Sequence, residues 1–208
     1  MTRPVLSSRR ACLLGLCGAV LPVGLAHAGR QIEEPLSHAV RSALSAAVAV
    51  AAPPEPLLPT ASDQQAYAQW QEASSQRLTR YKKHPTERQE FLQTLWYEAR
   101  RAGLPLSLVL GVVQVESAFR KYAISSAGAR GYMQVMPFWA RLIGDGDDSR
   151  LFHMQTNLRF GCVILRHYLD RERGNIFMAL GRYNGSRGQS VYPQTVTAAQ
   201  RAWLHPLD

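Results

Sequence analysis

The stretch LVLGVVQVESAF, residues 108–119, is apolar at almost every position until it reaches one carboxylate, Glu116. Pro105 opens a helix whose Leu106, Val109, Leu110 and Val113 share one face, and the next step of three or four residues brings Glu116 on or beside that face. Apolar neighbours penalise the charged form of a carboxyl group, and the negative end of the helix dipole penalises it again. A carboxyl that keeps its proton near neutral pH is suited to general acid chemistry.

Outward from this segment the pattern stays helical. Tyr67, Trp70, Leu78 and Tyr81 fall on one stripe, and Pro85 opens a segment in which Phe91, Leu92, Leu95, Trp96 and Ala99 form another before Gly103 stops it. Further helices are predicted over 156–170, 175–183 and 193–204, punctuated by Gly174 and Gly185. No segment sustains period-two alternation between hairpin turns, so the predicted class is mainly α.

Behind Glu116 comes SSAGARGYMQVMP, residues 125–137, whose Gly128 and Gly131 permit close backbone approach to a ligand. No GK[ST] follows, which removes the phosphate-loop reading. Three motifs stand in order: Glu116-Ser117, then Gly131-Tyr132-Met133-Gln134 with Met136-Pro137 behind it, then Arg182-Tyr183-Asn184-Gly185-Ser186. Together they resemble the Glu-Ser, Gly-Leu-Met-Gln and Ala-Tyr-Asn-Ala-Gly motifs of the soluble lytic transglycosylases. The resemblance covers residues 81–203.

That resemblance implies a lysozyme-like helical domain that cleaves the β-1,4 bond between N-acetylmuramic acid and N-acetylglucosamine. Glu116 would be the catalytic acid, protonating the glycosidic oxygen and then taking the proton of the muramic C6 hydroxyl as it closes on C1. Ser125 would hydrogen-bond near the acid and the acetamido group, Met133 would line the sugar cleft, and Gln134 would contact sugar. Tyr183 would hydrogen-bond the catalytic carboxylate, with Asn184 beside it. Asn157 and Gly161 match an Asn-x-x-x-Gly helix and read as structural. Arg182, Gly185 and Ser186 depart from the motif around Tyr183, and Tyr132 replaces its leucine.

A hydrolytic relative of goose-type lysozyme is the rival enzyme, and it needs a second acid opposite Glu116. The dense acidic cluster downstream is Asp145, Asp147 and Asp148, in the turn-like segment GDGDDS. A non-catalytic wall-binding protein is the rival from another class, and intact Glu116, Gln134 and Tyr183 argue against it.

The N-terminus reads as an address. Arg3, Arg9 and Arg10 precede an apolar run and the A-x-A site Ala26-His27-Ala28, which describes a secretory signal over 1–28 and a periplasmic destination by the general secretory route. Residues 29–60, dominated by alanine and proline, read as a linker or disordered arm, and 61–208 as the catalytic domain. Net charge is +9 and stays positive without the three signal arginines, which suits the anionic wall as partner. Nucleic acid does not fit an exported chain without clustered Lys/Arg runs. Cys162 is the one cysteine outside the signal, so no internal disulfide is predicted. Scattered histidines and the absence of GxSxG point to no metal and no serine triad. No cofactor is implied, and the domain reads as a monomer. The motifs fit general wall turnover and a dedicated role in a secretion, conjugation or pilus assembly equally.

Overall fold

The computed structural model describes residues 31–49 and 55–207. Within them the chain forms eight α-helices: α1 His38–Ala49, α2 Ala61–Leu78, α3 Pro85–Arg101, α4 Leu106–Ser117, α5 Pro137–Ile143, α6 Met154–Arg171, α7 Ile176–Asn184 and α8 Val191–Arg201. A 3-10 turn, Asp148–Phe152, joins α5 to α6. The mainly α expectation holds, and the described residues contain no extended strand, only isolated bridges joining Arg130 to Ile124 and Val135.

Local chemistry sets the boundaries. Thr60 caps α2 in a reciprocal box with Asp63, and Pro85 occupies the first turn of α3, where its missing N–H costs nothing. The stripe Phe91, Leu92, Leu95, Trp96 and Ala99 is buried as its spacing predicts. Tyr67, Trp70 and Trp96 meet between α2 and α3, with Tyr67 edge-on to Trp96 at 4.9 Å. Arg159 of α6 pairs with Glu98 of α3 at 2.8 Å, with side-chain exposures of 6% and 1%. Arg101 pairs with the same carboxylate at 3.5 Å, so it is removal of Glu98 that would strand the Arg159 charge, at a cost of roughly 3–5 kcal/mol.

Helix α4 is the central post. Leu106 to Val113 are all buried, and α8 lies closest against it. Gly111 makes the approach possible: a Cβ there would stand 3.0 Å from the Gln200 nitrogen and 3.1 Å from the Val196 oxygen. Gln200 Nε2 donates to Ser107 Oγ at 3.1 Å, and Trp203 Nε1 donates to Gln114 Oε1 at 2.7 Å. The acid-bearing helix and the last helix are thereby locked face to face.

The stretch read as a linker differs from that reading where it is described. Helix α1 packs on α5 and α6 with Leu44 buried. Gln31 Oε1 accepts from Trp139 Nε1 at 2.8 Å, and Glu34 pairs with Arg171 and Arg182. An alanine-rich helix offers little apolar surface of its own, and the opposing helices supply the rest. The segment 1–28 read as a secretory signal, which contains Cys12 and Cys17, lies outside the described residues.

Candidate active site

Helix α4 ends one residue after Glu116, because Ala118 and Phe119 turn left-handed at φ 48° and 61°. Ser117 fixes this end to the glycine loop, its hydroxyl donating to the Tyr132 carbonyl at 2.8 Å as well as to Val113 of its own helix. Glu116 is 6% exposed. Burial pushes its carboxyl up to about 8 from an ordinary 4.5, against a hydrogen bond from Tyr192 that pulls the other way. Tyr192 donates to Glu116 Oε1 at 2.5 Å, while Oε2, also buried, has no hydrogen-bond partner among the described residues. Tyr192 thus occupies Oε1 and leaves Oε2 as the oxygen free to carry the carboxyl proton.

Tyr192 is the residue that sequence reasoning missed. It carries no motif, yet Tyr192, Val196, Ala199 and Trp203 follow helical spacing, and all four are buried. Tyr183, expected on the carboxylate, instead donates to the Met133 carbonyl at 2.7 Å. Burial foremost, and the Glu116 charge next, push both phenols well above their usual range, so each remains a donor. The motif tyrosine thus holds the glycine loop, and Tyr192 holds the acid.

The other expected binding residues are also built into the frame. Met133 is fully buried, with its N–H donating to Asn157 Oδ1 at 2.8 Å. Gln134, at φ 48° and 2% exposed, spends Nε2 on the carbonyls of Ala123 and Gly131 at 3.1 and 3.0 Å. Ser125 Oγ accepts from the Ala129 N–H at 3.0 Å and closes the loop on itself. Asn184 is 7% exposed and accepts from Ser186 Oγ at 3.0 Å. Met136, three residues past Met133, is the loop methionine that keeps partial exposure.

Asn157 and Gly161 explain how the loop is held. Asn157 Nδ2 donates to the carbonyls of Arg130 and Leu151 at 2.8 and 2.7 Å. A Cβ at Gly161 would fall 2.3 Å from Met133 Sδ, and one at Gly131 would fall 2.3 Å from Asn157 Nδ2. The two glycines let α6 and the loop close on each other behind the acid.

The acidic cluster is committed locally. Asp145 pairs with Arg150, Asp147 caps Ser149 at 3.0 Å, and Asp148 pairs with Arg130 at 2.8 Å. Hydrogen bonds to Asp147 N–H and to Arg150 hold Asp145 below its ordinary carboxylate value, and bonds from Ser149 do the same for Asp147. Both carboxylates are thereby held by partners within their own turn. Among the described residues no three His, Cys, Asp or Glu side chains gather where they could hold a metal ion.

A buried carboxyl at the end of the central helix, hydrogen-bonded by a phenol and joined to a glycine loop, is an arrangement suited to acid chemistry. The model of the transglycosylase SLT domain matches residues 94–203, and the chain belongs to that family. It is 36% identical over 115 residues to membrane-bound lytic murein transglycosylase C of Histophilus somni strain 2336, which covers 48% of this chain and 32% of that protein. It is 33% identical over 101 residues to the transglycosylase of Enterobacteria phage PRD1, covering 49% of this chain and 37% of that one. The match thus spans about a third of the length of these curated relatives. A solved structure of an inactive mutant of lytic transglycosylase Slt from Pseudomonas aeruginosa aligns over 67% of this chain and 28% of its own, with 24% identity and a TM-score of 0.45.

Proposed function

We propose that this chain is a peptidoglycan lytic transglycosylase, with Glu116 as its one catalytic acid and base. The observation that carries the reading is the buried Glu116 carboxyl, pushed up to about 8 and gripped on one oxygen by Tyr192. Below that pH it holds a proton on Oε2 and gives it to the bridging oxygen as the bond between N-acetylmuramic acid and N-acetylglucosamine breaks. The carboxylate left behind is stabilised by the Tyr192 hydrogen bond. It then takes the proton of the muramic C6 hydroxyl as that oxygen bonds to C1, which restores the acid and leaves a 1,6-anhydro ring.

The paired state of Asp145, Asp147 and Asp148 favours this route over hydrolysis, because a carboxylate committed to an arginine or a loop N–H is poorly placed to activate water. An intramolecular hydroxyl also outcompetes dilute water for the cationic carbon. The wall is the partner, reached by export through the segment 1–28. No helix of the described residues is long and apolar enough to cross a membrane. Digesting purified wall and weighing the products tests the reading: anhydromuramic ends are expected, and predominantly reducing ends, heavier by one water, would overturn it in favour of a hydrolase.

A further inference from the structure

Between α7 and α8 the chain reverses in a short loop, and that loop decides where the phenol on Glu116 stands. Helix α7 gives way to Gly185, left-handed at φ 80°, and the chain then folds back onto the helix it has just left. The Ser186 N–H donates to the Gly181 carbonyl at 2.7 Å, and a Cβ at Gly181 would stand 2.9 Å from the Arg187 Cα. At the far end of the loop Ser190, which precedes α8, makes no side-chain capping bond. The approach to Tyr192 is therefore held by other means.

Glu172, just past the end of α6, supplies them. Arg187 Nε and Nη2 donate to its Oε1 and Oε2 at 2.7 and 3.1 Å, and Arg182 Nε donates to Oε1 as well. Arg182 is held on its other side by Glu34 of the N-terminal arm at 3.0 Å, and Glu34 also pairs with Arg171. Five charges of alternating sign thus run from the arm across α6 and α7 to the loop. A lone surface ion pair contributes little, but a carboxylate with a side chain only 9% exposed, shared by two guanidinium groups, fixes geometry. Both sides of the reversal at Gly185 are tied to one carboxylate, so the turn cannot open without breaking the two-pronged Arg187 pair. Arg182 stands where the family motif has alanine, which makes the clamp a feature of this chain.

Building on the lytic reading above, we propose that Glu172 is a positioning residue for the reaction: by holding Arg182 and Arg187 together it sets the loop between α7 and α8, and through that loop it keeps Tyr192 against Glu116. The other phenol facing the acid, Tyr183 of α7, is spent on the Met133 carbonyl, so a Tyr192 bond that is lost is not replaced from that side. Bonds from Arg187 foremost, and from Arg182 next, hold the Glu172 carboxyl down to about 2, so the clamp stays charged throughout the range in which Glu116 titrates.

Carbon NMR of the side-chain carboxyl groups follows the Glu116 titration in the free protein and needs no turnover. Tyr192→Phe should move its midpoint up by about one pH unit. Glu172→Gln and Arg187→Gln should each move it in the same direction, and the double variant Glu172→Gln/Tyr192→Phe should go no further than Tyr192→Phe alone. Arg187→Lys, which keeps a cation on the carboxylate, should stay close to the wild type. Thr60→Ala removes the capping box of α2 and lowers the melting temperature, yet it should leave the midpoint in place, which separates positioning from general loss of stability. An unmoved midpoint in Glu172→Gln, a double variant whose shifts add, or an equal shift in Thr60→Ala would each overturn the proposal. A Glu116→Gln protein that still lyses wall would refute the lytic reading and leave the titration result standing.

Discussion

A carboxyl shifted from 4.5 to about 8 changes both what Glu116 can do and what it costs. Replacing it with glutamine keeps the shape and removes the donor, so wall lysis should fall by roughly 100- to 10,000-fold, read as product release by a folded variant. Its pKa is raised on folding, so the folded chain binds the proton more tightly than the unfolded one. That contribution is fully present below about 4.5 and is lost as pH rises through about 8. Glu116→Gln, which cannot ionise, should therefore match the wild type in stability at pH 4 and exceed it by roughly 2–4 kcal/mol at pH 9, measured by denaturant unfolding. Tyr192→Phe removes the bond that lowers this pKa, so the alkaline limb of kcat/KM should move to higher pH while kcat falls. An unmoved limb would show that Tyr192 does not touch the titrating acid. The buried position of Glu116 was legible in the sequence, because apolar spacing and the end of α4 both act locally. Its phenol was not: Tyr192 lies 76 residues away and reaches Glu116 only through the packing of α8 on α4.

At the scale of elements, the contact between α4 and α8 delivers that phenol, and it depends on Gly111. A Cβ there would already press on the backbone of α8, and branched methyls would force the helices apart. Gly111→Val should lower stability by roughly 1–3 kcal/mol. It should also reduce turnover in the fraction that stays folded, since a small displacement of α8 carries Tyr192 off Glu116; thermal melts beside rates normalised to folded protein would separate the two effects. The loop into α8 has its own clamp. Glu172 accepts from Arg182 and from Arg187 on either side of Gly185, and the two guanidinium groups hold its carboxyl down at about 2. The helices α3, α4, α6 and α7 could be read from stripes, proline starts and glycine stops. Helix α5 could not, because its seven residues give too few turns for a period to show, and Pro137 there reads equally as a loop residue.

Over the whole molecule, the family match begins at residue 94, yet the described fold begins at 31. The intervening helices complete the core: α2 supplies Trp70 and Leu78, both fully buried, and α1 lays Leu44 against α5 and α6. Composition could not reveal the second of these, since burial of an alanine-rich helix is decided by the surface it meets. Trp139 loses its hydrogen-bond acceptor if Gln31 is removed, and Arg171 and Arg182 lose Glu34. A chain beginning at residue 55 should therefore fold around α2 to α8 but melt several degrees below one beginning at residue 31. A buried apolar contact, an indole N–H and two ion pairs are lost together, and about 1 kcal/mol moves the midpoint of a domain this size by roughly 2–8 °C. Because Arg182 adjoins Tyr183, which holds the glycine loop through Met133, the shorter chain should also lose turnover more steeply on warming than its melting curve requires. Identical melting and identical heat inactivation of the two chains would show that residues 31–54 ride on the domain without supporting it.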